Sequence, residues 1–153
     1  MRKRSLTSPA TLYIGAWSNR NAMQLLLPAF QFEGSHNLNA PYAVLSGFAI
    51  ELAFKAVLRA RGYDDEGLRG LSHDLWAGHN AALAVGFVPS DPRALSSLVG
   101  KMQDPHASFL LRYIPAGVDS IRLPRPEIAL ATLNTLCADV EAQVPEILSE
   151  MPG

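Results

Sequence analysis

Residues 45–58 read Leu-Ser-Gly-Phe-Ala-Ile-Glu-Leu-Ala-Phe-Lys-Ala-Val-Leu, and this run decides the fold class. Its apolar side chains recur at intervals of three and four rather than two, so the segment is helical. The helix is expected from Tyr42 to Arg61, with Asn39 as its cap, Pro41 in its first turn and Gly62 as its stop. Leu45, Phe48, Ala49, Leu52 and Ala56 fill one face, and Ile50, Phe54 and Val57 fill another. A helix that is apolar nearly all round belongs at the centre of a bundle or in an interface between copies. Its one polar stripe is Gly47, Glu51, Lys55 and Arg59, each four residues from the last.

Working outward, the same period recurs in segments separated by proline and glycine. Upstream, Ser8-Pro9 starts a helix whose stripe is Leu12, Ala16, Met23, Leu26 and Phe30, with Pro28 expected to kink or end it. Downstream, Asp64 to Leu71 is a charged loop, and Ser72 or Asp74 opens a helix that Gly86 ends. Ser90-Asp91-Pro92 opens the next, and Asp104-Pro105 is expected to restart it as a short helix through Tyr113. A last helix carries Ala129, Leu133, Leu136, Val140, Val144 and Ile147, bent at Pro145. The expected fold is all-α: one domain over residues 1–153, an up-and-down bundle of about five helices. A strand pair after Pro115 is the alternative left open.

Composition narrows the function classes. With 153 residues, 48% of them hydrophobic and 18% charged, the chain can bury a core without metals or disulfides. A net charge of −1 implies no broad basic surface, which argues against gripping duplex nucleic acid through many phosphates but leaves room for a localised RNA contact. Cys137, the single cysteine, reads as a small core residue. The basic start Met1-Arg2-Lys3-Arg4 runs into polar residues and a proline, not the apolar stretch of a signal peptide. The longest uncharged stretch, Gly34 to Ile50, holds Ser35, His36, Asn37, Asn39 and Pro41, which do not suit a membrane span. A cytoplasmic protein without membrane contact is expected. Glycine-rich phosphate loops, serine-nucleophile signatures and zinc spacings are missing, so the usual hydrolase, kinase and nucleotide-binding classes lose support.

Beyond the central helix, a Gly62-Tyr63 turn and the charged loop lead to Leu71-Ser72-His73-Asp74-Leu75. A Glu51-Leu52-x-x-Lys55 helix followed by His73-Asp74-Leu75 resembles the HEPN superfamily of bacterial helical domains. Leu111-Arg112-Tyr113 ahead of Pro115 is similar to an Arg-Tyr-Pro stretch of such proteins, interrupted here by Ile114. The resemblance implies a helical bundle, often a homodimer, used in stress, defence or toxin–antitoxin settings with a cognate antitoxin or other protein as partner. Some members are metal-independent ribonucleases in which an Arg and a His, with four to six residues between them, meet across the dimer. This chain departs from that pattern: Arg69 precedes His73 by too little, and His106 and Arg112 stand in reverse order. The leading expectation is therefore a domain that binds a protein partner or RNA, with the ribonuclease motif absent or degenerate. The alternative is a metal-independent endoribonuclease with a rearranged site. There His73 would deprotonate the ribose 2′-hydroxyl, and Arg69 or Arg112 would stabilise the developing phosphate charge.

Each candidate also has a plain structural role. Glu51 and Lys55 stand at i, i+4 in the favourable order for an ion pair. Asp74 suits a helix cap, and His73 can hydrogen-bond Glu51 or a loop carbonyl instead of titrating in a site. Arg112 and Tyr113 can close a helix or bind an anion. His73, Asp74 and His79 lack the i, i+4 spacing of a helical metal site, so neither metal nor cofactor is expected. Trp17 and Trp76 read as core or dimer-interface residues, and His36 as a loop residue. The apolar circumference of the central helix is the reason to expect a homodimer.

Overall fold

A computed structural model describes residues 7–31, 38–107 and 123–151. All regular structure among them is helical: α1 (Pro9–Leu26), α2 (Asn39–Ala60), α3 (Asp65–Gly70), α4 (Leu75–Ala84), α5 (Pro92–Ala107), α6 (Pro126–Gln143) and α7 (Glu146–Glu150). The five longer helices are the expected ones. The two short additions have local causes. Asp64 accepts a hydrogen bond from the Gly67 amide at 2.8 Å and so caps α3, which takes up most of the expected loop. Pro145 separates α7 from α6, as a residue that cannot continue the ladder should. No helix of the described residues is long and apolar enough to cross a membrane.

Most helix ends follow their sequence signals. Ser8 accepts from the Thr11 amide at 3.1 Å, with Pro9 in the first position of α1. The α-helix gives way after Leu26 to a 3₁₀ turn, Leu27–Gln31, that contains Pro28. Asp74 and Asp91 accept from the amides of Ala77 (2.9 Å) and Ala94 (3.0 Å). Gly62 and Gly86 take φ of +100° and +94°, the left-handed region in which a Cβ is costly.

Two ends differ. Asn39 lies inside α2, whose cap position is Leu38 and carries no side-chain cap bond. The expected break at Asp104-Pro105 does not occur, because α5 runs through Pro105 to Ala107. Pro105 is buried, and continuing the helix places His106 in the interior. The proposed continuation to Tyr113 and the strand pair after Pro115 lie outside the described residues.

Helix α2 is the axis of the molecule. It packs most extensively on α1 and is also flanked by α4, α5 and α6. Twelve of its 22 residues are buried, which accounts within one chain for its all-round apolar character. Small residues set the spacing: Ala43, Ala49, Ala53 and Ala56 of α2 and Ala10 and Ala16 of α1 are all in the core, so the two backbones approach closely. Ile50, Phe54 and Val57 meet Leu75, Val99, Met102, Leu133 and Val140 in one contiguous cluster. Cys137 is buried there, and burial pushes its thiol pKa up, as suits a core thiol. Trp76 packs against the cluster, whereas Trp17 stays 38% exposed and is not a core residue.

Candidate functional site

The polar stripe of α2 ends up in the middle of the bundle. Glu51 is only 8% exposed, and three basic groups from three different elements point at its carboxylate. Lys55, one turn on, donates to Oε1 at 2.6 Å. His73, in the turn ahead of α4, meets Oε2 through Nδ1 at 2.9 Å, and His106, near the end of α5, meets the same oxygen through Nε2 at 2.5 Å. Burial pushes the Glu51 carboxyl pKa up, but the hydrogen bonds from His106, Lys55 and His73, with the Lys55 charge, more than offset this and hold it at about 2.

Local structure brings the rings together. Ser72 adopts φ of 48°, a left-handed conformation uncommon for a residue with a side chain, so the chain turns sharply just before His73. The Ser72 carbonyl also accepts from Lys55 Nζ at 3.0 Å, which ties this turn to α2. Gln103 of α5 then clamps the start of α4. Its Oε1 accepts from the Trp76 amide at 3.1 Å and its Nε2 donates to Asp74 at 3.2 Å. His106 is one turn beyond Gln103 on the same helical face, so the clamp fixes it opposite His73. The two rings stand edge to face with centroids 5.7 Å apart, and Phe48 packs edge-on against both, at 6.2 Å from His73 and 5.0 Å from His106.

Gly47, the first member of the stripe, makes room. A Cβ there would lie 2.8 Å from Cγ of the His106 ring, closer than van der Waals packing allows. His106 is the site residue that sequence reasoning missed, since it had been weighed only against Arg112. The available signal was a glycine heading a stripe of large polar residues on an otherwise bulky helix. The stripe's last member, Arg59, leaves the cluster and instead pairs with Asp65 and donates to the Tyr63 carbonyl at 2.7 Å.

The other candidates separate from this centre. Arg69 is exposed and bonds back to the Asp65 carbonyl at 3.2 Å. It lines a cleft of about 320 Å³ with Lys55, Arg59 and Asp65, which adjoins the Glu51 cluster through Lys55. Asp74 serves as the α4 cap, and His79 is buried between Phe54 and Trp76, away from Glu51. Arg112, Tyr113 and His36 lie outside the described residues. A cavity of about 360 Å³ between α5 and α6 is mainly apolar, and two of its carboxylates are occupied, Asp91 in capping α5 and Asp139 in holding Ser90.

Chemically, the centre is a buried carboxylate with two imidazoles on one oxygen and an ammonium on the other. One ligand atom from each of Glu51, His73 and His106 lies within 4.8 Å of the others, close enough to grip a metal ion. Compared with family models, with curated proteins and with solved structures, the chain matches none, so the HEPN resemblance stands on its sequence pattern alone.

Proposed function

We propose that the chain is a HEPN-like helical domain that acts by binding a protein partner in a bacterial stress, defence or toxin–antitoxin setting, and does not cut RNA. The observation that carries this reading is the separation of Arg69 from His73. The His73 Nδ1 is held by Glu51 at 2.9 Å, an arrangement that orients the ring, while Arg69 is turned back to the Asp65 carbonyl of its own helix, so these two residues do not form an Arg–His pair. The ribonuclease chemistry needs a positioned arginine beside the histidine to stabilise the developing phosphate charge. A protein partner is favoured over RNA because the net charge of −1 offers little phosphate attraction, while Leu25, Val88, Ile128 and Leu148 leave apolar surface exposed. A second copy of the chain would have to use such outer surfaces, since α2 is covered.

The test is RNA cleavage by the purified chain in excess chelator, run beside His73→Ala, together with sizing of the chain alone and co-expressed with the product of the adjoining gene. No cleavage and a stable complex are the expected results. Cleavage that falls with His73→Ala would replace this reading with the second one, a metal-independent endoribonuclease. The specific support for that second reading is the cleft where Lys55, Arg59 and Arg69 gather beside the cluster, a place for an RNA phosphate. A strictly monomeric chain at micromolar concentration that gains no partner counts against the binding reading.

A further inference from the structure

We infer that Glu51, His73 and His106 are the protein ligands of a divalent transition-metal site, suited to zinc or an ion of similar size. The inference is independent of the HEPN reading, because it rests on the donor set and its geometry. Two imidazoles and one carboxylate form a set of mixed hardness, used for zinc and for other first-row divalent ions. Zn–N and Zn–O bonds of about 2.0–2.2 Å put neighbouring ligand atoms of a tetrahedron about 3.3 Å apart. Here the two ring nitrogens stand 2.5 and 2.9 Å from the carboxylate oxygen, so each ring needs to withdraw by less than an ångström to admit the ion. Each ring would bind as neutral imidazole through the nitrogen now turned toward Glu51, its proton moving to the other ring nitrogen.

The surroundings suit a metal as well as the ligands do. Lys55 donates to the second oxygen of Glu51 and is anchored on the Ser72 carbonyl, an outer partner that orients the ligating carboxylate. Phe48 closes an apolar wall on both rings, and Gly47 leaves the space into which His106 fits. Three protein ligands leave a further coordination position for water, and His73, with a third of its side chain exposed, opens that side to solvent. Spacing along the chain hides the set, because the histidines lie 22 and 55 residues from Glu51 on separate elements.

The test is a titration of the chelator-stripped whole chain, labelled with ¹⁵N-histidine, with Co²⁺ and Zn²⁺. One equivalent of Co²⁺ with visible d–d absorption, displaced by Zn²⁺, is expected. Zn²⁺ should shift the ring nitrogens of His73 and His106 and leave those of His36 and His79. His73→Gln, at a partly exposed position, should lower affinity by more than the roughly 10–100-fold seen when an outer partner is lost, while His36→Gln keeps it. No uptake by the unaltered chain, ring shifts confined to His36 or His79, or uptake unchanged in His73→Gln would overturn the site. The ring shifts are read on the unaltered chain, so the outcome does not depend on a variant folding.

Discussion

Replacing Glu51 by Gln is the sharpest perturbation of the cluster, because it keeps the shape and removes the charge. The amide retains one acceptor oxygen but turns an NH₂ group toward donors that now find a carboxylate, Lys55 on one side and His73 and His106 on the other. The cost can be read from the carboxyl itself. Moving its pKa from 4.5 to about 2 corresponds to roughly 3 kcal/mol of preferential stabilisation of the charged form in the folded state. Breaking a buried ion pair by removing one partner costs about 3–5 kcal/mol, which agrees. Since the folded-state pKa is depressed, this contribution is present above about pH 4.5 and is lost as pH falls toward 2, where the native carboxylate takes up its proton. Urea unfolding in chelator should therefore show Glu51→Gln less stable than the parent by roughly 3 kcal/mol at pH 7. The gap should hold down to about pH 4.5 and narrow below it. A gap under about 1 kcal/mol at pH 7, the worth of an exposed pair, or one that stays constant from pH 7 to pH 3, would refute the view that this charge is a buried hub.

Gly47→Ala should drive a methyl into the His106 ring and destabilise the fold by about 1–3 kcal/mol, the usual cost of overpacking, measured by the urea midpoint; parent-like stability would mean that His106 does not sit there. Asp74→Ala removes both the α4 cap and the tie to Gln103, with an expected loss of about 1 kcal/mol and faster amide exchange at Ala77, whereas exchange unchanged from the parent would show the cap to be idle. Tyr42→Phe deletes the buried bond from its hydroxyl to the Pro124 carbonyl, 2.7 Å long, and should cost about 1–2 kcal/mol in thermal or urea unfolding; a neutral result would show that water or another donor replaces it.

The fold class was legible because helical period and caps are short-range properties. Ser8-Pro9, Asp74, Asp91-Pro92, Gly62 and Gly86 each act on the turn beside them, and each does so in the structure. Pro105 misled because a proline signal is local, while the burial that keeps α5 going to His106 is not. An all-round apolar helix likewise states how much surface must be covered, not whose residues cover it; within the chain, twelve residues of α2 are buried. Of the four polar side chains of the site, Glu51, Lys55 and His73 were readable as well. Glu51 and Lys55 pair across one helical turn, so spacing alone places them together.

The sequence by itself determined where most of the helices begin and end, that α2 must be covered on nearly every side, and that Glu51 has Lys55 for a neighbour. Tertiary structure alone decided which helices of the chain pack over α2, and that His106 joins His73 on the Glu51 carboxylate. The physical reason is range. Hydrogen-bonded turns are settled within four residues, whereas a carboxylate buried in a bundle takes its partners from whichever helices pack over it, here across 55 residues of chain.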